Sequence, residues 1–238
     1  KALNSIGYIH LGGDMRKIYI ILLLTFGFGQ DYSLQFDGED DYVEIANPFS
    51  GIHSDFTINI WIKVPYAADG DFYQHRADYG DVKGQITNGN ILYRIYAGDG
   101  SQLNTEMIYD FSSYIDSWTY ITLLNESDGN SNNIQKLYIN GVLIGSQSWY
   151  GEKNWDHNFI AEGIGGIAGS TFEGLISECV IWDYSLNQQE IQTHMMTQHT
   201  GNEEGLVGYW NFNSDSGDIL YDHSGNGNHG TINGATWS

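Results

Sequence analysis

Cysteine is almost absent from this chain of 238 residues. Cys179 is the only one, so no disulfide can form within the chain. It alternates with Ser177 and Ile181 in a run that is typical of a strand, and no cationic residue stands near it in sequence to activate the thiol. The sequence therefore predicts a buried, unreactive side chain at Cys179.

Basic residues are also scarce. Nine Lys and Arg stand against 30 Asp and Glu, which gives a formal net charge of −21. A field of that sign disfavours nucleic acid and anionic membrane surfaces as partners, because both are negatively charged. Neutral polar ligands and divalent cations remain compatible with this composition.

Long apolar runs are missing as well. The run at 18–29 (IYIILLLTFGFG) is about a dozen residues long, whereas a transmembrane helix needs ~20. It follows Met15-Arg16-Lys17, and this order predicts a secretory signal peptide at 15–29. We expect residues 1–14 to be upstream sequence, residues 31–238 to form one domain, and the protein to be secreted or on the cell surface, of bacterial origin.

Glycine and aromatic residues are abundant instead, with 30 Gly and 14% Phe, Trp and Tyr, which favours a β protein with many turns. Apolar and polar residues alternate in 56–64 (FTINIWIKV), the pattern of a half-buried strand. Asn140-Gly141 predicts a hairpin, because both residues accept positive φ. Asn187 and Glu190 predict a capped helix at 188–197. Similar strand patterns occur at 32–36, 41–46, 90–97, 118–124, 134–139 and 174–183.

Five phrases in order resemble the laminin-G-like jelly-roll group, which includes the concanavalin-like lectins and the pentraxins. They are SLQFDGEDDYVEI (33–45), FTINIWIKV (56–64), LYINGVLI (137–144), FEGLISECVIWDYSLNQQEI (172–191) and GLVGYWNF followed by DHSGNGNHGTI (205–232). The resemblance implies an all-β fold in which two antiparallel sheets pack as a jelly-roll sandwich. It also implies a non-catalytic module that binds a glycan or glycoprotein in adhesion, within a larger exported protein.

The segment 205–238 leaves two interpretations open. In many relatives its phrase opens a domain, whereas here it follows the other four phrases. It can complete this sandwich with late strands or begin a further repeat. The first interpretation is preferred, because it leaves no apolar strand unpaired.

A loop predicted at 148–157 (SWYGEKNWDH) carries the candidate ligand-binding residues Trp149, Tyr150, Trp155 and Asp156. Exposed aromatic rings can stack on sugar rings, and neighbouring carboxylates and amides can bind sugar hydroxyls. Packing at the edge of the sandwich is the alternative for at least one of the tryptophans.

Calcium is the cofactor that the resemblance implies. Asp78, Asp81 and Glu162 lie where pentraxin-like relatives carry calcium ligands, judged by order along the chain, although the fuller acidic cluster of those relatives is missing. Asp222, Ser224 and Asn226 begin like a calcium loop, but position twelve is Asn233, where such loops need Glu. An Asx turn at Asp222 is therefore the preferred interpretation.

Catalysis has one candidate pair, Glu39 and Glu44, whose spacing resembles that of retaining glucanases on a related sandwich. On a regular strand these side chains would point to opposite faces, so the pair would need a bulge. His194 and His199 are five apart, which does not place them on one helix face. The sequence thus predicts a binding module, with a glycoside hydrolase and a structural spacer repeat as alternatives.

Overall fold

The computed structural model describes residues 32–50, 55–66, 68–97, 102–128, 132–151 and 154–238. The predicted signal peptide and upstream segment lie outside these ranges. No helix in the described ranges is long and apolar enough to cross a membrane.

Strands dominate the described chain, with one α-helix and one short 3-10 helix at Ser112–Tyr114. The α-helix α1 spans Gln188–Met196. The strands are β1 Leu34–Asp37, β2 Tyr42–Ile45, β3 Phe56–Lys63, β4 Gly70–Thr87, β5 Asn90–Ala97, β6 Gln102–Asp110, β7 Thr119–Ser127, β8 Asn132–Ile139, β9 Val142–Tyr150, β10 Asn154–Ile164, β11 Glu173–Trp182, β12 Leu206–Trp210, β13 Ile219–Leu220, β14 Gly230–Asn233 and β15 Thr236–Trp237.

Two antiparallel sheets form a sandwich, which confirms the predicted fold class. Sheet A has the order β15-β1-β11-β3-β7-β8-β9, with β12 also paired to β11. Sheet B has the order β13-β14-β2-β10-β4-β5-β6. The strands of 205–238 enter both sheets, because β12 pairs with β11, β14 with β2 and β15 with β1.

The main core lies between the sheets and follows from the alternation in sequence. Ile58, Ile60 and Ile62 of β3 point inward and are fully buried, as are Val82 and Ile86 of β4. A second apolar cluster lies on the other face of sheet A, where Ile191 of α1 covers it. Burial on both faces explains the continuous apolar run at the end of β11, whereas the second face of β3 carries the buried polar residues Thr57 and Asn59.

Strand β4 reverses direction within its length. Its first part pairs with β10 up to Tyr79, and its second part pairs with β5 from Gly80. Lys83 Nζ lies 2.7 Å from Asp71 Oδ2, although twelve residues of straight strand would span roughly 40 Å. This reversal brings Asp71 to the outer face of sheet B, beside the second half of the same strand.

The local signals in the sequence are confirmed. Asn187 Oδ1 accepts hydrogen bonds from the amides of Gln189 and Glu190, and the Glu190 side chain accepts one from the Asn187 amide, which makes the capping box. Asn140 and Gly141 have φ of 50° and 72° and join β8 to β9.

Asp222 forms the predicted turn rather than a calcium loop. Its carboxylate accepts hydrogen bonds from the backbone amides of Tyr209, Ser224 and Asn228, at 3.0, 2.8 and 2.9 Å. It is buried and ties β12 to the last strands. Cys179 is a fully buried free cysteine, and burial raises the pKa of its thiol, as the sequence predicts for an unreactive side chain.

Candidate functional site

Tyr150 lies at the end of β9 beside a surface concavity of about 510 Å³. Its ring is 74% exposed. A large, exposed aromatic ring at the edge of a concavity is a suitable surface for stacking against a sugar ring. The concavity is lined by Glu126, Ser127, Asp128, Asn132, Asn133, Ile134, Ser148, Trp149 and Tyr150.

The polar groups of this concavity come from the hairpin of β7 and β8. Asp128 Oδ2 accepts a hydrogen bond of 2.8 Å from Asn132 Nδ2, and both residues are exposed. Glu126 pairs with Lys136 across the two strands. Carboxylate and amide groups beside an exposed ring are the combination that binds sugar hydroxyls.

Trp149 belongs to the core and not to the exposed surface. It is 6% exposed, and its Nε1 donates a 3.1 Å hydrogen bond to Asn125 Oδ1. Successive residues of a strand point to opposite faces, so β9 turns Trp149 inward and Tyr150 outward. Its role is to support the base of the concavity, which corrects the expectation of a stacking platform at Trp149.

Trp155 and Asp156 lie on a strand. The expected loop at 148–157 is wrong at both ends, because β9 extends to Tyr150 and β10 begins at Asn154. Register shifts in the pairing of β10 with β4 fall in this first part of β10. The side chains of Trp155 and Asp156 are outside the described part, so their role as ligand-binding residues stays a prediction.

Glu162 lies inside the sandwich, away from any loop rim. It is 1% exposed. One of its carboxylate oxygens accepts a hydrogen bond from the Tyr73 hydroxyl, and the other is hydrogen-bonded to His75 Nδ1. Burial raises the pKa of Glu162 well above its usual value. A carboxyl whose two oxygens are engaged and desolvated does not fit the open oxygen set that calcium needs, which corrects the placement of Glu162 among the metal ligands.

Asp81 lies just after the reversal in β4. Its Oδ1 accepts a 3.1 Å hydrogen bond from the Ala77 amide, and Arg76 Nε lies 3.9 Å from its Oδ2. Burial raises the pKa of Asp81 to about 6. Asp78 is on the same strand with its side chain outside the described part. Calcium binding at Asp78 and Asp81 therefore stays a prediction.

Glu39 and Glu44 are both exposed, with Glu39 in the turn between β1 and β2 and Glu44 on β2. Between them the buried Asp41 accepts a 2.9 Å hydrogen bond from the Asp37 amide. The carboxylates of Asp37, Asp40 and Asp41 lie within 4.8 Å of one another, and two of them are exposed.

His194 and His199 are in contact, which their spacing in sequence did not indicate, because helix α1 ends between them. His199 Nε2 lies 3.2 Å from His194 Nδ1, and His199 Nδ1 lies 3.3 Å from Glu178 Oε1. Helix spacing did not predict this contact, since α1 ends at Met196 and the chain then returns over the helix.

Two antiparallel sheets packed face to face form a sandwich of the jelly-roll class. The family described as the concanavalin A-like lectin/glucanases superfamily (Laminin_G_3) matches residues 37–192. The chain belongs to this superfamily, which bears out the resemblance in its sequence.

Similar structures support the fold alone, since their sequence identities are low. A Bacteroides ovatus protein provisionally described as carbohydrate binding has a TM-score of 0.64 and 16% identity, covering 87% of this chain and 59% of that one. The CBM40 domain of a Ruminococcus gnavus IT-sialidase, bound to α2,3-sialyllactose, has a TM-score of 0.54 and 16% identity, covering 68% and 95%.

In sequence, the chain is similar to botulinum neurotoxin type E from Clostridium butyricum. The identity is 25% over 168 residues, which is 62% of this chain and 12% of the toxin. The chain thus spans about an eighth of the toxin and 59% of the Bacteroides ovatus protein.

Proposed function

We propose that the protein is a secreted, non-catalytic recognition module that binds carbohydrate in the concavity beside Tyr150. The observation that carries the proposal is the exposed Tyr150 ring above a concavity of about 510 Å³. Asp128, Asn132 and Glu126 supply the polar groups around it. Carbohydrate binding by neighbours of the same fold is a precedent for the fold and leaves the ligand of this chain open.

The proposed site makes two kinds of contact: ring stacking and hydrogen bonds to sugar hydroxyls. The face of Tyr150 covers the apolar face of a sugar ring, and Asp128 and Asn132 exchange hydrogen bonds with its hydroxyls. Neutral glycans suit the site, because the exposed Asp128 gives the concavity a negative charge, whereas Glu126 is paired with Lys136. Uncharged hexoses are the ligands that we expect.

A glycan array followed by calorimetric titration tests the proposal. We expect Tyr150→Ala to lower the affinity for the best glycan by about tenfold, since loss of one stacking surface costs roughly 1–1.5 kcal/mol. Tyr66→Ala is the matched control, because Tyr66 is 86% exposed and is not among the residues of the concavity. A parallel titration in EDTA tests calcium assistance at Asp78 and Asp81.

Three results would contradict the proposal. If no glycan binds, the structural spacer becomes the better description of the chain. If Tyr150→Ala and Tyr66→Ala bind alike, the concavity is not the binding site. Release of reducing sugar from a β-glucan that is lost on Glu39→Gln would make the protein a glycoside hydrolase.

A further inference from the structure

The outer face of sheet B carries a row of charged residues across three strands. Arg94 of β5 is the direct Cα partner of Lys83 on β4 and of Glu106 on β6. Val82 on β4 and Tyr93 on β5 belong to the core, so alternation places Lys83 and Arg94 on the opposite, outer face. Asp71 extends the row through its 2.7 Å contact with Lys83. We call Glu106, Arg94, Lys83 and Asp71 the charged row.

The two cations keep unused donors. Arg94 Nε donates to Glu106 and Nη1 donates to Gln85 Oε1 at 2.8 Å, which leaves Nη2 without an acceptor in the ranges that the structure covers. Lys83 Nζ donates to Asp71, and its other N–H groups likewise find no described acceptor. The side chains of Arg94 and Lys83 are 24% and 22% exposed, so a ligand can reach them.

Placing two cations opposite each other has an electrostatic cost. Like charges on directly opposed strand positions destabilise a sheet. The described chain has five basic residues, Lys63, Arg76, Lys83, Arg94 and Lys136, in a protein of net charge −21. Three of those five, Arg76, Lys83 and Arg94, lie on strands β4 and β5 of sheet B. The charged row itself holds two cations and two carboxylates, so it is neutral within an acidic molecule.

The groups at the two ends of the row restrict what can bind. Asp71 and Glu106 repel a small free anion, and so does the overall charge. They also accept hydrogen bonds, as Gln85 does through its amide oxygen. A ligand that suits the row therefore carries one anionic group for Arg94 and Lys83 and a hydroxyl donor for Glu106, whose side chain is 25% exposed, against 6% for Asp71. An acidic saccharide has both features.

We infer that the charged row is a second binding site, which takes the carboxylate or sulfate of an acidic saccharide on Arg94 and Lys83. It shares no residue with the concavity beside Tyr150. The anionic group accepts hydrogen bonds from Arg94 Nη2 and Lys83 Nζ, and an adjacent hydroxyl donates to Glu106, whereas the buried Asp71 holds Lys83 in place. Binding in this site needs neither Tyr150 nor calcium.

Calorimetric titration with sodium glucuronate, glucose 6-sulfate and glucose tests the inference. We expect at least one of the two anionic sugars to bind and glucose to give no signal, because the anionic group supplies the contact to the cations. Arg94→Gln and Lys83→Gln should each weaken binding by about tenfold, the size expected for one charge-assisted hydrogen bond. A preference between the two anions tells a carboxylate site from a sulfate site.

Three controls keep the test specific. Lys63→Gln removes the same charge from β3 of sheet A and should leave the affinity unchanged. Arg94→Lys keeps the charge but lacks the planar guanidinium group. Its thermal melting curve shows whether a loss of affinity comes from the lost contact or from unfolding. Tyr150→Ala should leave this binding intact even if the proposed carbohydrate site fails. Equal binding of glucose, absence of binding by both anionic sugars, or equal loss in Lys63→Gln would overturn the inference.

Discussion

At the scale of single residues, Glu162 shows how a carboxyl is accommodated between two apolar sheets. Tyr73 and His75 engage both of its oxygens, and Phe49 packs against the His75 ring with the centroids 4.6 Å apart. Burial penalises the charged form and raises the pKa of Glu162. Burial therefore favours the neutral form of this carboxyl in the folded protein.

A pH dependence of stability follows from that raised pKa. The unfolded chain releases the Glu162 proton from about pH 4.5 upward, whereas the folded chain keeps it until a higher pH. Glu162 thus stabilises the fold at low pH, and this contribution is lost as the pH rises through the folded pKa. Glu162→Gln cannot ionise, so we expect its free energy of unfolding to approach that of the wild type as the pH rises from 4.5 to 8.

Urea titrations across this pH range provide the measurement. At pH 4.5 we expect Glu162→Gln to be less stable by about 1–3 kcal/mol, the cost of disturbing a buried hydrogen-bonded group. Glu173→Gln, at an exposed position of β11, is the control and should show no such trend. A gap that widens with pH would mean that Glu162 is ionised in the folded protein.

At the scale of elements, helix α1 is attached to sheet A through a buried polar contact. His194 of α1 bonds to His199, which bonds to Glu178 of β11. Trp182 packs against both rings, at centroid distances of 4.4 and 5.7 Å. Burial and His199 lower the pKa of His194, while Glu203 and Glu190 act in the opposite direction.

Low pH should weaken the contact between helix α1 and sheet A. A histidine whose folded pKa is lowered stabilises the fold above its unfolded pKa of about 6.5 and loses that contribution as the pH falls. We expect His194→Gln to lose the part of the pH slope that His194 contributes, so that the advantage of the wild type in melting temperature shrinks as the pH falls from 7.5 to 5. The exposed His223→Gln is the control. An unchanged slope in His194→Gln would show that the helix contact does not titrate.

Elements were predictable where the signal is local. Asn187 with Glu190 and Asn140-Gly141 each define a structure within four residues, so the helix and the hairpin were found. Strands β4, β6 and β10 were missed. They lack clear alternation, and the reversal in β4 depends on a contact between Asp71 and Lys83 that only the folded sheet creates.

The candidate site was predictable only in part, for the same reason. The aromatic-rich segment 148–157 indicates Tyr150 as a candidate, but the alternation that buries Trp149 belongs to β9, which extends to Tyr150 where the sequence predicts a loop. Asp128 and Asn132 reach the concavity from another hairpin, and the charged row depends on strand register. Neither is visible in the order of residues along the chain.

At the scale of the whole molecule, the segment 205–238 contributes strands to both sheets. It covers the edges of β1 and β2 and pairs with β11, and the buried Trp210 donates a 2.9 Å hydrogen bond from its Nε1 to the Asn228 carbonyl. A chain ended before Gly205 would expose these strands and leave a hole at Trp210 in the main core.

We therefore expect the shortened chain to lose its cooperative unfolding. Loss of a buried tryptophan alone costs about 3–5 kcal/mol, which is a large share of the stability of a single domain. Circular dichroism during heating checks this prediction. A sharp transition near that of the longer chain would show that 205–238 is dispensable for the sandwich.

We propose that neutral sugar binds at one edge of the sandwich, and chemical-shift mapping by NMR tests this most directly. The protein is titrated with the strongest neutral glycan from the array. We expect the largest chemical-shift changes at Tyr150, Asp128 and Asn132. The signals of Trp149 should change little, because this residue stays in the core. Shifts confined to other surfaces, or no shifts with any glycan, would contradict it.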